Sequence, residues 1–373
     1  HSNIEKSKLH GKLPFPYNKI TTIPAKLHKF QNDDGEWLDP AEISLKAYKR
    51  SPGCIPYEYI ENAAFSYEQQ IRNASASYKH PRDVIGIREA LHHFRDVKPI
   101  ASSTSPGHPM NVPKYLNLKK LYYKSLELGK DEEAEGYFQC IATEVDRVLE
   151  LYKSYIRPFF MYTDNNKDEV RKKEKALKGL TRLFSGSPFI MLIIFRMYFG
   201  AFMDMFFGAN IDIGSAIGVN PYSMDWDRIA RRLQKFGKRF GEWLVGAGDF
   251  AFFDGHEQAC ILQPICGIII NWYGGGMRSI DNKIRYFLWA EISNSRHAFR
   301  GLFYDWFSSM PSGNPLTAII NTMYNNMVFR IAFQFAGQDI DDFNEDVYLV
   351  ALGDDVLFSV SEYLNDIFNE LTM

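Results

Sequence analysis

Val347-Tyr348-Leu349-Val350-Ala351-Leu352-Gly353-Asp354-Asp355-Val356-Leu357-Phe358-Ser359-Val360 sets two apolar runs on either side of a Gly-Asp-Asp triplet. Runs of this kind around a Gly and Asp centre predict a hairpin whose turn carries the carboxylates. Asp and Gly favour turns in any protein, so a turn alone accounts for the triplet. Adjacent carboxylates repel, however, unless a cation or a partner offsets them.

Two upstream segments have to be read with this hairpin. Leu244-Val245-Gly246-Ala247-Gly248-Asp249-Phe250 predicts a buried strand ending at Asp249. Asp254 follows at the start of a helix expected over residues 255–270, where helix capping explains it as well as catalysis does. Asp249 with Asp354 would make a hard-oxygen site suited to Mg²⁺. Two such ions, about 4 Å apart, can activate a hydroxyl and stabilise a leaving phosphate. Ser309-Met310-Pro311-Ser312-Gly313-Asn314-Pro315 reads as a tight loop, with Pro315 in the first turn of the next helix. That helix puts Thr317 and Asn321 on one face. A polar pair on a helix otherwise rich in Ile, Met, Tyr and Phe is either bonded internally or turned to a ligand.

The chain has 373 residues and a formal charge of −2, with 46% hydrophobic and 24% charged residues. This excludes a disordered chain, a collagen-like repeat and a coiled-coil rod, and allows two or three domains or one large fold. Near-neutrality argues at first against a nucleic-acid partner. The charge is nevertheless segregated. Residues 167–182 carry seven basic side chains against three acidic ones, and a basic helix is expected over 225–243. From Ile331 onward there are ten acids and no Lys or Arg. A basic middle and an acidic end therefore cancel.

Cys54, Cys140, Cys260 and Cys266 are too scattered for a disulfide scaffold or a cysteine zinc site. Residues 189–207 and 259–273 are apolar, but Arg196 and Asp204 interrupt the first and the second is too short to span a bilayer, so both are expected in the core. Residues 1–60 read as an extended arm with short turns, and 61–99 and 131–155 as helical. His256-Glu257 lacks the second His of a zincin helix, His92-His93 lacks a third ligand, and Gly274-Gly275-Gly276 lacks the context of a phosphate loop. The chain opens His1-Ser2-Asn3 without an initiator Met or a signal segment, as expected of a trimmed chain or one cut from a polyprotein.

The order of these pieces resembles the RNA-dependent RNA polymerases of picornavirus-like positive-strand RNA viruses, in the manner of the dicistrovirus and iflavirus enzymes. Motif A, Asp-x4-Asp, matches Asp249 and Asp254. Motif B, Ser-Gly-x3-Thr-x3-Asn, matches Ser312, Gly313, Thr317 and Asn321. Motif C matches Gly353, Asp354 and Asp355, with Leu352 where many members have Tyr. Motif F matches Lys167-Asp168-Glu169-Val170-Arg171 through Arg182, and the looser motif G matches Thr104-Ser105-Pro106-Gly107. Residues 219–223 resemble the segment before motif A in insect-virus members.

The resemblance implies an α+β right-hand polymerase fold, with an antiparallel palm sheet backed by helices. It divides the chain into fingers (1–188, with the N-terminal arm and motifs G and F), palm (189–265, with motif A), a fingers insertion (266–308) and palm again (309–373, with motifs B and C). The thumb is expected to be missing, because the chain stops soon after Gly-Asp-Asp and no Lys lies beyond Arg330 for motif D. Asp249, Asp354 and Asp355 would be catalytic and hold two Mg²⁺ ions, for which Mn²⁺ can substitute. Asp254, Ser312 and Asn321, with Gly313 and the supporting Thr317, would read the ribose 2′-OH. Lys167, Arg171, Lys175 and Arg182 would hold the triphosphate, while Lys172, Lys173 and Lys178 form a solvated face. Thr104, Ser105 and Gly107 would line the template path.

The implied activity is RNA-templated RNA synthesis in viral genome replication. Expected partners are template and product RNA, nucleoside triphosphates, a protein primer and other viral replication proteins. The expected location is host cytoplasm, at membrane-associated replication complexes. A reverse transcriptase shares the palm, but Asp254 with Asn321 favours ribonucleotides. A catalytically incomplete RNA-binding fragment is the third reading.

Overall fold

The structure is a computed structural model that describes residues 4–5, 7–9, 12, 14, 21–48, 53–236, 238–239, 242–243, 245–250 and 253–369. β1 (Thr22–Pro24) is followed by α1 (Pro40–Ala47) and α2 (Tyr57–Ala74). The two helices correct the reading of residues 1–60 as an extended arm. Pro40 occupies the first helical turn, where no N–H is needed, and Asp39 accepts from Ala41 N at 3.0 Å. The prolines that suggested an arm therefore include a helix start.

α3 (Asp131–Lys153) buries the apolar stripe that its spacing predicted, from Ala134 to Tyr152. β2 (Tyr162–Asn166), β3 (Val170–Lys172) and β4 (Leu183–Gly186) follow. β3 pairs with β1, Arg171 opposite Ile23, so the N-terminal segment braces the basic stretch. α4 (Phe189–Ala209) is apolar all round and buried nearly all round. Each buried Phe or Ile there contributes roughly 1.5–3 kcal/mol before entropy. Its two charges are satisfied inside. Arg196 donates to the carbonyls of Ala90, His92 and Lys98, and Asp204 accepts from the Tyr78 hydroxyl at 2.8 Å and pairs with Arg95 at 3.1 Å. Residues 189–213 are long and apolar enough to cross a membrane, and they form the centre of this core.

α5 (Asp225–Phe236) is shorter than the basic helix expected over 225–243; Lys238–Arg239 instead pair with Glu242–Trp243 as strands. β5 (Gly246–Asp249) leads to α6 (Phe253–His256) and α7 (Ala259–Tyr273). The single helix expected over 255–270 is thus broken at Glu257–Gln258. The physical reason is tertiary capture of the backbone. Asp254 O accepts from Met310 N, Glu257 O accepts from Ser309 N, both at 2.8 Å, and Gln258 N donates to the Tyr324 hydroxyl at 2.9 Å.

α8 (Ile280–Ser293), β6 (Ser295–Phe299), β7 (Leu302–Trp306), α9 (Thr317–Phe335), β8 (Val347–Leu352) and β9 (Asp355–Val360) complete the described elements used below. One sheet has the order β7-β6-β2-β4, with β6 and β2 parallel. The other is antiparallel, β8-β9-β5, and lies between two helices. Val347, Leu349, Val356 and Phe358 face Phe329 and Phe333 of α9. Tyr348, Val350 and Leu357 face Ile229 and Leu233 of α5. Strand alternation therefore assigns each residue of the Gly-Asp-Asp hairpin to one helix or the other.

Candidate active site

α9 grips the hairpin turn from below. Gly353 N donates to Thr322 Oγ1 at 2.9 Å, and Asn325 Nδ2 donates to Gly353 O at 3.1 Å. Gly353 sits at φ +67, a conformation that favours glycine. Asp354 is thereby aimed into a cleft of about 870 Å³, lined also by Asp254, Asn321, Ser312, Thr317, Arg171, Lys175 and Arg182. These residues come from four separate segments of the sequence.

The two members of the carboxylate pair diverge. Asp355 begins β9 and lines a shallow groove on the α5 side, with Trp226, Ile229 and Leu357. The alternation that sends Leu357 toward α5 sends Asp355 there too. Asp249 closes β5 with its backbone opposite Asp355, one residue from the Asp354 turn. Its side chain lies outside the described residues.

Asp254 accepts a 2.5 Å hydrogen bond from Asn321 Nδ2. Burial pushes its carboxyl above the ordinary value; the Asn321 bond opposes this, Asp354 adds to it, and Arg182 and Lys167 pull the other way. Asn321 is buried, yet its Oδ1 has no partner among the described residues. Ser312 lines the same cleft but does not join this pair, because its Oγ accepts from Ser185 N at 3.0 Å. Thr317 Oγ1 bonds to the Asn314 and Pro311 carbonyls at 2.8 and 3.1 Å. The polar network expected of Asp254, Ser312 and Asn321 is therefore one direct pair, with Ser312 and Thr317 fixing the loop beside it. A Cβ on Gly313 would lie 2.0 Å from Ser185 O, so only glycine lets this loop close onto β4.

The basic side chains converge on Glu169. Arg182 makes a forked pair with it, Nε to Oε1 at 2.7 Å and a second N–H to Oε2. Lys167 Nζ stands 3.5 Å from Oε2 and Arg171 3.6 Å from Oε1. Burial alone would raise the Glu169 carboxyl, but the Arg182 pair, with Lys167 and Arg171, holds it below its ordinary value. Arg171, Lys175 and Arg182 line the cleft together with Asp254 and Asp354. Lys167 anchors the segment through its backbone, Lys167 N donating to Arg182 O at 2.8 Å. Lys172, Lys173 and Lys178 are exposed, as expected.

The Thr104–Gly107 loop lies outside the cleft lining. Thr104 accepts from the buried Lys119 ammonium at both its carbonyl and Oγ1, 2.9 and 2.6 Å, and Ser105 Oγ accepts from Gly107 N. Burial pulls Lys119 down to about 8. Gly107, at φ +65, packs on Ser187, whose hydroxyl donates to Gly313 O at 2.9 Å. The loop thus leans on the same short segment that holds Gly313.

Sequence reasoning missed Glu169 as a hub, Lys119, Thr322 and Asn325. A signal existed for the last two: Asn321, Thr322, Asn325 and Asn326 recur at helical spacing in an otherwise apolar helix.

Carboxylates are the donors in the cleft, a chemistry suited to hard divalent cations. Among the described residues no group of three or more His, Cys, Asp or Glu side chains is assembled for a metal, and the Asp249 carboxylate is not among them.

The family description of viral RNA-dependent RNA polymerases matches residues 19–372. The chain belongs to that family. The replicase polyprotein of cricket paralysis virus is 31% identical over the whole of this polymerase-family chain, and that of Drosophila C virus 32% identical over the whole. The genome polyprotein of deformed wing virus is 32% identical over 59% of the chain. The chain spans 22% of the length of each of the first two polyproteins. Among solved structures, the Sicinivirus 3Dpol RNA-dependent RNA polymerase superposes with a TM-score of 0.74 at 21% identity, covering 96% of this chain and 68% of that one. The right-hand architecture expected from the motifs is the fold of this polymerase-family chain.

Proposed function

We propose that this chain carries the catalytic cleft of an RNA-templated RNA polymerase, which joins a nucleoside triphosphate to the 3′ hydroxyl of nascent RNA. One observation carries the reading: Arg171, Lys175 and Arg182 line the same cleft as Asp254, Asn321 and Asp354. The cations suit a triphosphate, whose charge otherwise opposes approach to carboxylates. In-line attack on the α-phosphate then needs positioning and charge neutralisation more than covalent chemistry.

Asp354 and Asp249, at the adjoining ends of the turn and β5, are the residues that would hold divalent metal, Mg²⁺ with Mn²⁺ as substitute. Asp355 would assist only from the α5 side. Bound metal supplies charge neutralisation on the phosphates and lowers the pKa of the attacking hydroxyl. Arg182, held rigidly by Glu169, orients the triphosphate. Asn321 Oδ1, buried and without a partner among the described residues, accepts from the ribose 2′-OH, while its Nδ2 stays on Asp254. A deoxyribose leaves that oxygen unsatisfied, which disfavours it. Thr104, Ser105 and Gly107 steer template through phosphate contacts, outside the cleft itself.

Primer extension on a homopolymer template, by a polymerase containing this chain, tests the reading. Extension with NTPs that exceeds extension with dNTPs, and that Asp354→Ala abolishes, is the expected result. Preference for dNTPs would make it a reverse transcriptase. Template binding without extension, in Mg²⁺ or Mn²⁺, would leave only an RNA-binding role.

A further inference from the structure

Tyr48 ends α1 and lines the cleft, although it lies about 200 residues before any motif A residue in sequence. Two surfaces fix its ring. On one side it stacks on Trp306, with centroids 4.5 Å apart and planes at 20°. On the other it presses on Gly255, where a Cβ would come within 2.6 Å of Cδ1 and 2.7 Å of Cε1. Gly255 is the residue directly after Asp254. The ring therefore touches the peptide that carries the Asp254 carboxylate.

The support behind the ring is stiff. Trp306 lies 4.1 Å from the His297 ring, and His297 is locked in a buried chain, with Asp164 at 2.9 Å on Nδ1 and Ser295 at 2.8 Å on Nε2. Tyr304 stacks on the same imidazole at 5.5 Å and donates its hydroxyl to Asp164. With exposure near zero, this Asp-His-Ser chain has no substrate access and serves as a brace. It runs from the four-stranded sheet through Trp306 and Tyr48 to Gly255. Burial, with Asp254 second, raises the Tyr48 hydroxyl, which stays protonated.

We propose that Tyr48 is a positioning residue for ribose selection: its ring, braced by Trp306, holds the Asp254–Gly255 peptide where Asp254 keeps its bond to Asn321. The inference rests on the ribose-reading role given to that pair above. A small residue at 48 leaves a void against Gly255, and the peptide relaxes into it. Asn321 Nδ2 then loses its fixed acceptor, and Oδ1 its fixed direction toward the 2′-OH. Deoxynucleotides, which never used that contact, are affected less than ribonucleotides.

The test compares kcat/KM for NTP and dNTP in the parent polymerase and in Tyr48→Ala, Tyr48→Phe and Trp306→Leu. Tyr48→Ala is expected to lower the NTP/dNTP ratio by about 10-fold, chiefly through a higher KM for NTP. Tyr48→Phe keeps the ring and is expected within about 2-fold of the parent. Trp306→Leu, which does not line the cleft, is expected to show a smaller loss of the same sign, and it keeps the test open if Tyr48→Ala does not fold. An unchanged ratio in both Tyr48→Ala and Trp306→Leu, or equal loss for NTP and dNTP, overturns the proposal. So does a Tyr48→Phe defect as large as that of Tyr48→Ala, because the hydroxyl would then act rather than the ring. A parent without ribonucleotide preference overturns the ribose reading itself, and the proposal with it; a preference undiminished in Tyr48→Ala and Trp306→Leu overturns the proposal alone.

Discussion

The two halves of α9 put the same residue types to opposite uses. In the C-terminal half, Arg330 is fully buried and every polar neighbour is engaged. Its guanidinium donates to Ser66 Oγ, Gln70 Oε1, Asn344 Oδ1 and Asn326 O, between the faces of Tyr67 and Phe343 at 4.8 and 4.3 Å. Gln334 closes the set, donating to Tyr59 O and accepting from Asn62. In the N-terminal half, Asn321 and Asn325 each use their amide nitrogen and leave a buried Oδ1 without a partner among the described residues, and Asn321 of the two lines the cleft. A buried acceptor left unpaired costs free energy unless something outside the chain meets it. Polar groups that are complete hold the fold, and those that are incomplete beside a cleft point to a ligand.

Removing the carboxylate at the cleft should have the largest effect on either side of this comparison. Asp354→Ala is expected to cut primer extension by at least ~10³-fold, with the melting temperature within about 2 °C of the parent. Undiminished extension would show that the cleft carboxylate is not part of the chemistry.

Arg330→Met is the converse case. Several oxygens would lose a buried donor at once, and a loss of about 3 kcal/mol in urea unfolding is expected. The NTP/dNTP ratio of the surviving folded enzyme should not move. A shift in that ratio would mean that the two halves of the helix are coupled, and the division drawn here would be wrong.

How much of this was legible in the sequence follows from how local each feature is. The Gly-Asp-Asp hairpin, the core helices α3 and α4 and the loop before α9 announce themselves through spacing within a single segment. The divergence of Asp354 and Asp355 follows from alternation only once Leu357 is known to face α5. The Glu169 hub was not, because an acid among seven bases looks like simple charge balance until the chain folds it beneath three of them. Ser312 on Ser185 N joins residues 127 positions apart, and no local pattern predicts it. α1 was hidden by composition, as proline signals both loops and helix starts. The motif family supplied what spacing did not, by bringing Asp249, Asp254, Asn321 and Asp354 into one set.

Asn321→Ala sharpens the ligand-facing half. The NTP/dNTP ratio is expected to fall by about 10–100-fold, while unfolding stability changes by about 1 kcal/mol or less, because one of its two groups was never bonded within the chain. A large stability loss with an unchanged ratio would place Asn321 with the structural set instead.

Glu257 challenges the rule, and its expected effect is the smallest. It is 1% exposed, neither carboxylate oxygen has a partner among the described residues, and it does not line the cleft. If incompleteness alone marked a ligand, Glu257 would need one. Protonation offers another solution: burial first, and Asp254 second, push its carboxyl well above the ordinary value. The folded pKa then exceeds the unfolded value of about 4.3. Stability from the neutral form is complete below the unfolded pKa and is lost as pH rises through the folded one. Glu257→Gln cannot ionise, so its stability relative to the parent should be flat near pH 4 and should improve as the pH rises toward 8, read by urea unfolding at each pH. A gap that does not change with pH would mean that the native carboxylate is charged and partnered. Its two oxygens would then belong beside Asn321 Oδ1, as groups that meet something the chain does not itself provide.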